Sequence, residues 1–345
     1  MTASDTFLRL REVRLERFKA AFKPEPIAVG DFQLIIGRNG AGKSTLLEAL
    51  QWLDRTLRQD ARAACDRYFG IRDLINMRSR AGVPYFELTL TWTIERPSAA
   101  KSNLTYTVRV EQGADNKTPL VAAETLYEQV VGTKKRAYLI KTRNTKREAG
   151  KKSGTRVVYP DDPNLRTNFE EPDRLALARG GMRSRGQGKP HSVFDLLQDF
   201  WSRAVFLRLS PNRLVAGSPA DRRSFDPILD EEGQTLPALL NELSKEQMAD
   251  LSKDLGASVN GIEGVKVIGK SRTSTAEDKI NYQLRERMPY VGRAGSTAFS
   301  VPSWMLSEGT RRLTAIFALL VRSPPPLGGR PNPANDGRLK TGQRS

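Results

Sequence analysis

Residues 32–44 have the sequence FQLIIGRNGAGKS, and this stretch decides the fold class. The run from Phe32 to Ile36 is almost entirely apolar, which is typical of a central β-strand covered on both faces. Gly37–Ser44 matches the pattern G-x-x-x-x-G-K-[ST] at every position. Leucines then recur at the spacing of an amphipathic helix, at Leu46, Leu47, Leu50, Leu53 and Leu57. A strand, a glycine loop and a helix without a gap form one half of a βαβ unit, so the sequence predicts an α/β fold.

The glycine loop has the composition of a phosphate-binding loop. Its glycines let backbone N–H groups curl around phosphates, and the N-terminus of the following helix adds a partial positive charge. Lys43 is expected to reach the β- and γ-phosphates, and the Ser44 hydroxyl to coordinate Mg²⁺, so ATP and Mg²⁺ are the predicted cofactors. The alternative is an ordinary glycine-rich turn. The predicted nucleotide contacts are Gly37, Arg38, Asn39, Gly40, Ala41, Gly42, Lys43, Ser44 and Thr45.

The amino-acid composition limits which classes of protein and which kinds of site are possible. The chain has 345 residues, of which 38% are hydrophobic, and this is enough apolar material to form a sizeable core. Lys and Arg number 56 against 39 Asp and Glu, so the net charge is +17. Such a charge attracts nucleic acid, nucleotide phosphates or anionic lipid headgroups without choosing among them. A single Cys and a single His exclude an intramolecular disulfide, a Cys-based zinc site and a His-cluster metal site.

The sequence shows neither a membrane span nor a signal segment. Its apolar runs are shorter than the roughly 18 residues that a spanning helix needs. The N-terminus is rich in charges and lacks the apolar core of a signal peptide. We therefore expect a cytoplasmic protein without a membrane partner.

Hydrophobic periodicity outlines the rest of the chain. Residues 8–15 largely alternate apolar and charged side chains, which is typical of a half-buried strand. The same period of two predicts antiparallel strands over residues 85–111. Helical spacing recurs over residues 193–201, 236–255 and 310–321.

Residues 134–156 form a strongly basic run, with ten Lys or Arg against one Glu. One interpretation is a DNA-binding strand and loop that neutralises several phosphates. The other is a solvated surface hairpin. Tyr138 is the one aromatic residue inside the run, which argues against stacking of single-stranded bases.

A second motif lies near the C-terminus. Residues 306–312, LSEGTRR, directly precede a predicted helix and resemble the LSGGQ-type signature of ABC ATPases. The N-terminal segment LRLREVRLERFKAAF followed by FQLIIGRNGAGKSTLLEAL resembles the opening of the RecF/SMC group, and more specifically the compact AAA family ATPases of the OLD and abortive-infection type. Residues 225–243 also resemble the segment ahead of the signature in those proteins. Trp304, just before the signature, is expected to be a packing residue rather than a residue on which adenine stacks.

The resemblance implies an ABC-type P-loop head with a mixed sheet, an antiparallel β-subdomain and a helical insert. Two such heads sandwich two ATP molecules, so a homodimer is implied. By position, Ser307 would donate its hydroxyl and Gly309 its backbone N–H to the γ-phosphate held by the partner head. A plain helix N-cap is an alternative role for Ser307, and the two roles are compatible. Arg17, Phe18 and Lys19 lie where related heads approach the adenine and the sugar.

The same reasoning divides the chain into five segments: an N-terminal ATP-binding lobe over residues 1–95, a β-rich basic excursion over 96–190, a helical and mixed insert over 191–300, the signature and its helix over 301–327, and a tail over 328–345. The tail is polar and rich in Gly and Pro, so we expect it to be disordered.

The sequence departs from the family after the signature helix. Related heads have an apolar strand there, which ends in the acidic residues that hold Mg²⁺ and position water, followed by a switch histidine. Here the tail contains a single acid, Asp336, and the chain's one histidine, His191, lies far upstream. A shifted or truncated reading frame near Leu327 is favoured by the abrupt change in composition. The other explanation is a genuine short form that binds ATP without hydrolysing it efficiently, and no catalytic residue is assigned.

Two function classes follow. The first is an ATP-driven dimerising head in DNA repair or anti-phage defence, with DNA as a further partner. The second is a hydrolysis-deficient ATP-binding module that regulates a partner nuclease or toxin.

Overall fold

The computed structural model describes residues 6–78, 84–96, 100–113, 115, 117–144, 155–158, 167–169, 171–178, 193–219, 228–269, 279–289 and 294–322. The chain forms two compact units, the first ending at Ser202 and the second beginning at Arg203. This boundary falls inside the insert expected over residues 191–300, and the five-segment division stays a prediction. Several features of the sequence analysis lie outside the described residues: His191, Asp336, the tail over 328–345 and residues 145–154 of the basic run.

The first unit is built on an eight-stranded sheet with the order β2-β1-β3-β4-β5-β6-β7-β8. Its strands are β1 (Phe7–Glu16), β2 (Pro26–Ala28), β3 (Tyr85–Glu95), β4 (Ser102–Gln112), β5 (Pro119–Val130), β6 (Ala137–Asn144), β7 (Thr155–Val158) and β8 (Thr167–Phe169). The alternation of buried and partly exposed residues along β3 confirms the period of two that the sequence shows, and β3 and β4 are the predicted antiparallel strands.

The same unit contains the helices α1 (Lys43–Arg58), α2 (Ala61–Asp66) and α3 (Val193–Ser202). Helix α1 packs on the sheet through Trp52, whose ring meets Phe86 of β3 edge to face with the centroids 4.9 Å apart. Phe18 meets Phe86 in the same way at 5.2 Å. The leucine spacing predicts that Leu47 lies on the buried face of this helix, and this is wrong, since Leu47 is exposed. Ala49 and Trp52 occupy the buried face instead.

The predicted central strand over residues 32–36 is not found. This segment is outside the strands of the sheet, with Phe32 87% and Ile36 84% exposed. In the described residues no backbone hydrogen bond joins it to a strand. A buried strand needs a partner strand along its edges, and every strand pair of the described residues is antiparallel and formed without this segment. The expected mixed sheet is therefore absent from the described ranges.

The second unit combines three helices with a small antiparallel sheet. The helices are α4 (Leu236–Glu242), α5 (Lys245–Ser258) and α6 (Glu308–Arg322), and the strands are β9 (Ser218–Pro219), β10 (Ile262–Ile268), β11 (Lys279–Pro289) and β12 (Ser296–Pro302). Leu251, Leu255, Tyr282 and Leu284 lie in its core. The helix expected over residues 236–255 is two helices, because Ser244 begins α5 with a capping box. Among the described residues, no helix has the length and the apolar character needed to cross a bilayer.

Candidate nucleotide-binding site

The glycine loop of the first unit has the backbone of an anion-binding loop. Gly40 and Gly42 adopt φ angles of +82° and +87°, in the left-handed region that favours glycine. Helix α1 begins directly afterwards, with no side chain capping its N-terminus and no acidic residue in its first turn. The first N–H groups of the helix therefore lack a side-chain acceptor, and its partial positive charge is not offset locally. An anion is the natural partner for these groups.

Lys43 places a cation within this loop. Its Nζ donates hydrogen bonds to the carbonyl oxygens of Gly37 at 2.7 Å and Arg38 at 2.8 Å. The loop from Gly37 to Ala41 is exposed, as is Ser44, whereas Thr45 is buried at the start of the helix. The structure thus brings the predicted residues from Gly37 to Ser44 to one open surface, and an incoming phosphate would meet the Lys43 ammonium there.

A tight turn lies next to the loop. Arg17 and Lys19 have positive φ angles of 55° and 48°, and Lys19 donates its backbone N–H to the Leu74 carbonyl at 2.7 Å. Lys19 also pairs with Glu48 of α1 at 2.5 Å, which ties the turn to the helix that carries the loop. The Cβ of Ala20 lies 3.6 Å from the position that a Cβ would take at Gly42.

An open cleft of about 390 Å³ begins at this turn. Its lining is apolar with charged residues at its edge: Leu15, Ala20, Ala21, Phe22, Lys23, Glu25, Ile27 and Arg78. Phe18 is not part of the cleft, because its ring is fully buried against Phe86. Stacking of an adenine on Phe18 is therefore excluded. Sequence reasoning missed Ala20, Phe22 and Arg78, which come together only when β1, β2 and the segment after Ile75 fold.

The signature segment belongs to the second unit. The Ser307 hydroxyl accepts a hydrogen bond from the Thr310 N–H at 3.1 Å, which confirms that Ser307 caps α6. Ser307 and Gly309 are both exposed, so the capping role leaves them accessible. Trp304, expected to be a packing residue, has a side chain that is 56% exposed, so it is not buried among the described residues. Arg311 donates to the carbonyl of Trp304 at 3.1 Å, so its guanidinium supports the local fold.

A metal ion at the loop would need ligands other than a cluster of protein side chains. In the described ranges, no three His, Cys, Asp or Glu side chains gather into a metal site. The exposed hydroxyl of Ser44 suits Mg²⁺, which commonly combines few protein ligands with substrate phosphates and water.

Comparison with known proteins gives one result at the level of families. Residues 13–158 match the family model described as "AAA domain". The match supports an AAA-type P-loop ATPase domain. It covers somewhat less than half of the chain, from within β1 to the end of β7, and includes both the glycine loop and the antiparallel sheet. The signature segment lies outside it. No curated protein matches the sequence.

Proposed function

We propose that the chain is an ATP-binding head that dimerises around Mg·ATP and acts in DNA repair or anti-phage defence. The observation that carries nucleotide binding is the open N-terminus of α1, with left-handed glycines before it and the Lys43 ammonium inside the loop. The AAA domain match over residues 13–158 supports the same activity.

The cleft beside the loop supports a pose for the whole nucleotide. Ala20 lines the cleft and also lies against Gly42, so the two surfaces are continuous. With the phosphates over the first turn of α1, the adenosine moiety would occupy the apolar cleft, where Phe22 offers an aromatic contact. Arg78 at the edge would face the sugar or the α-phosphate.

The surface around the signature supports dimerisation. Ser307 and Gly309 are exposed at the N-terminus of α6, whose dipole favours an anion. Trp304 and Met305, just before them, are exposed at 56% and 70%. Aromatic residues and Met are enriched in protein interfaces, so this neighbourhood is suited to contact with a second head.

A Gly309→Glu variant tests dimerisation. Sedimentation velocity should show a monomer without nucleotide and a dimer with Mg·ATP for the unaltered chain. The added carboxylate would repel the γ-phosphate across the interface and weaken the dimer at least about tenfold, or about 1.4 kcal/mol. The fold should persist, because an acid in the first turn and the removal of a helical glycine both stabilise a helix.

The matched control is Ala249→Glu, which adds the same charge at an exposed position of α5. It should dimerise like the unaltered chain, and both variants should bind ATP with ordinary affinity. A chain that remains monomeric with bound ATP, or a Gly309→Glu variant that dimerises normally, contradicts the proposal.

The second candidate function, a hydrolysis-deficient regulator of a partner nuclease or toxin, is favoured by one feature of the sequence. After the signature helix, residues 323–345 contain a single acid, Asp336, where related heads have an acidic strand end. If none of the chain's acids holds Mg²⁺ and orients water, single-turnover hydrolysis should remain well below about 1 s⁻¹, the low end of common enzyme rates. A rate near that value would show that another acid of the chain performs this role and would favour the first candidate.

A further inference from the structure

Two tyrosines lie side by side on one face of the eight-stranded sheet. Tyr127 of β5 is in register with Tyr138 of β6, and their ring centroids are 5.5 Å apart at an angle of 54°. Leu126 and Ile140 of the same strands are fully buried, and the two tyrosines are only partly buried. The rings therefore form an aromatic pair at the surface, which the single tyrosine of the basic run does not indicate.

Four cations surround this aromatic pair. The Arg136 guanidinium lies 4.7 Å from the Tyr127 ring centroid, and the Lys141 ammonium lies 4.9 Å from that of Tyr138. Arg136 also donates a hydrogen bond to the Tyr138 hydroxyl. Lys134 and Lys135, in the turn before β6, are exposed. In the part of the chain that the structure describes, none of these four cations forms an ion pair with a carboxylate.

A second cluster of similar composition, around Tyr85 on the same face, differs in how its charges are compensated. Tyr85 has Arg17 and Arg109 over its ring at 4.3 and 4.1 Å. Its hydroxyl, however, donates to Glu16 at 2.6 Å, and Arg109 pairs with Glu87 at 2.9 Å. The charges of the Tyr85 cluster are therefore compensated within the protein, whereas the part of the chain that the structure describes places no carboxylate on those around Tyr127 and Tyr138, and an anionic ligand can take that place.

Hydroxyl groups continue the surface from the tyrosines onto the neighbouring strand. Thr107 of β4 is in register with Thr125, which in turn is in register with Lys141 of β6. Thr105, in register with Tyr127, is buried, and the Thr107 hydroxyl also shares a hydrogen bond with that of Thr89 at 3.0 Å. Adjacent strands are about 4.8 Å apart, so these hydroxyls lie within one or two strand spacings of the rings. The partly exposed hydroxyls of Thr107 and Thr125 can donate hydrogen bonds to phosphate or sugar oxygens.

We propose that the Tyr127–Tyr138 platform, defined as Tyr127, Arg136, Tyr138 and Lys141, binds single-stranded nucleic acid. Unpaired bases stack on aromatic rings and on guanidinium planes. Both tyrosines hold Arg136 in place, so its guanidinium plane is positioned to stack on a base. The lysines neutralise the phosphates between the bases. A duplex buries its base faces in its own stack and gains only the phosphate contacts. This inference does not depend on nucleotide binding at the glycine loop.

Fluorescence anisotropy at low salt tests the platform with three labelled probes: oligothymidine and oligouridine of about 12 nucleotides, within the usual site size, and a DNA duplex of equal length. The single strands should bind more tightly than the duplex. The double variant Tyr127→Leu/Tyr138→Leu should lose single-strand affinity at least about tenfold, since each stacked base contributes substantially, and duplex affinity less than about twofold. Comparison of the two single strands identifies the preferred sugar.

Two further variants keep the test independent of folding defects. Arg136→Lys retains the charge of an exposed residue but removes the planar stacking group, so it should weaken single strands and leave the duplex unchanged. Tyr85→Leu is the matched control in the compensated cluster and should change nothing. The proposal is overturned if no single strand binds at low salt, if the platform variants weaken duplex and single strands equally, or if Tyr85→Leu has the same effect as the platform variants.

Discussion

Replacement of Lys43 by Ala should lower the affinity for Mg·ATP at least about tenfold, or about 1.4 kcal/mol. The Lys43 ammonium is held inside the loop by the carbonyls of Gly37 and Arg38, so it is already in place when the phosphates arrive. Its removal leaves the negative charge of the β- and γ-phosphates opposed only by backbone N–H groups and the helix dipole. Isothermal titration calorimetry measures the change directly.

The fold should tolerate this substitution. The two carbonyls that lose the ammonium lie in an exposed loop and can bind water instead. The unfolding midpoint without nucleotide should therefore stay unchanged, and Lys253→Ala, on an exposed position of α5, should bind ATP normally. Undiminished ATP affinity in the Lys43→Ala variant would mean that the glycine loop is an ordinary turn.

The sequence predicts the phosphate loop well because its constraints are local. The left-handed backbone at Gly40 and Gly42 and the helix that starts at Lys43 depend on residues that are adjacent in the chain. The strand predicted over residues 32–36 fails for the opposite reason. An apolar run shows that a segment is suited to burial, but pairing also requires neighbouring strands, and these come from elsewhere in the chain.

The segment over residues 32–36 leaves an apolar surface exposed beside the phosphate loop. Phe32, Leu34 and Ile36 are all more than two-thirds exposed, and they directly precede the loop. Exposed apolar residues that are contiguous mark interaction surfaces or aggregation sites more often than ordinary surface. The phosphate loop is therefore joined to an apolar edge that the described residues do not cover.

Roles of single side chains can also be predicted where they depend on nearby residues, and not where they depend on distant ones. The capping of α6 by Ser307 follows from the residue type and its position three residues before Thr310, and it is correct. Phe18 lies in the segment where related heads approach the adenine, but its own ring is turned inward, since a tertiary contact with Phe86 buries it. Glu124 has no motif of its own, and only its position indicates burial: it precedes the inward-facing Leu126 by two residues and shares its face of β5.

Glu124 is a buried carboxylate, and the residue is only 1% exposed. It accepts hydrogen bonds from the Tyr106 hydroxyl at 2.9 Å and from the backbone N–H groups of Ala176 and Leu177 at 2.6 and 2.8 Å. These bonds attach the segment around Ala176 to the sheet. Burial raises the pKa of Glu124 to about 7, although the three hydrogen bonds act to lower it.

This raised pKa predicts a loss of stability as the pH rises. The ordinary pKa of the unfolded carboxyl is 4.5. Between that value and about 7 the folded state retains a proton that the unfolded state has released, so the free energy of unfolding falls with pH across this window and levels off above it. At about 1.4 kcal/mol per pKa unit, the loss is about 3 kcal/mol.

Urea unfolding from pH 5 to pH 8, compared with a Glu124→Gln variant, measures the effect. The amide cannot ionise, so the stability of the unaltered chain should fall by about 3 kcal/mol relative to the variant across this range. Glu128→Gln is the matched control on the same strand. Burial acts to raise the pKa of Glu128, but hydrogen bonds from Arg96 and Ser102 outweigh it and lower the pKa, so this carboxyl titrates below the window.

The Glu128→Gln variant should therefore differ from the unaltered chain by a constant amount between pH 5 and pH 8. If the difference between the unaltered chain and Glu124→Gln is also constant there, the three donors hold Glu124 ionised throughout. The carboxylate would then contribute stability that is lost only in acid. The N–H groups of Ala176 and Leu177 would donate to an ionised carboxylate rather than to a protonated one.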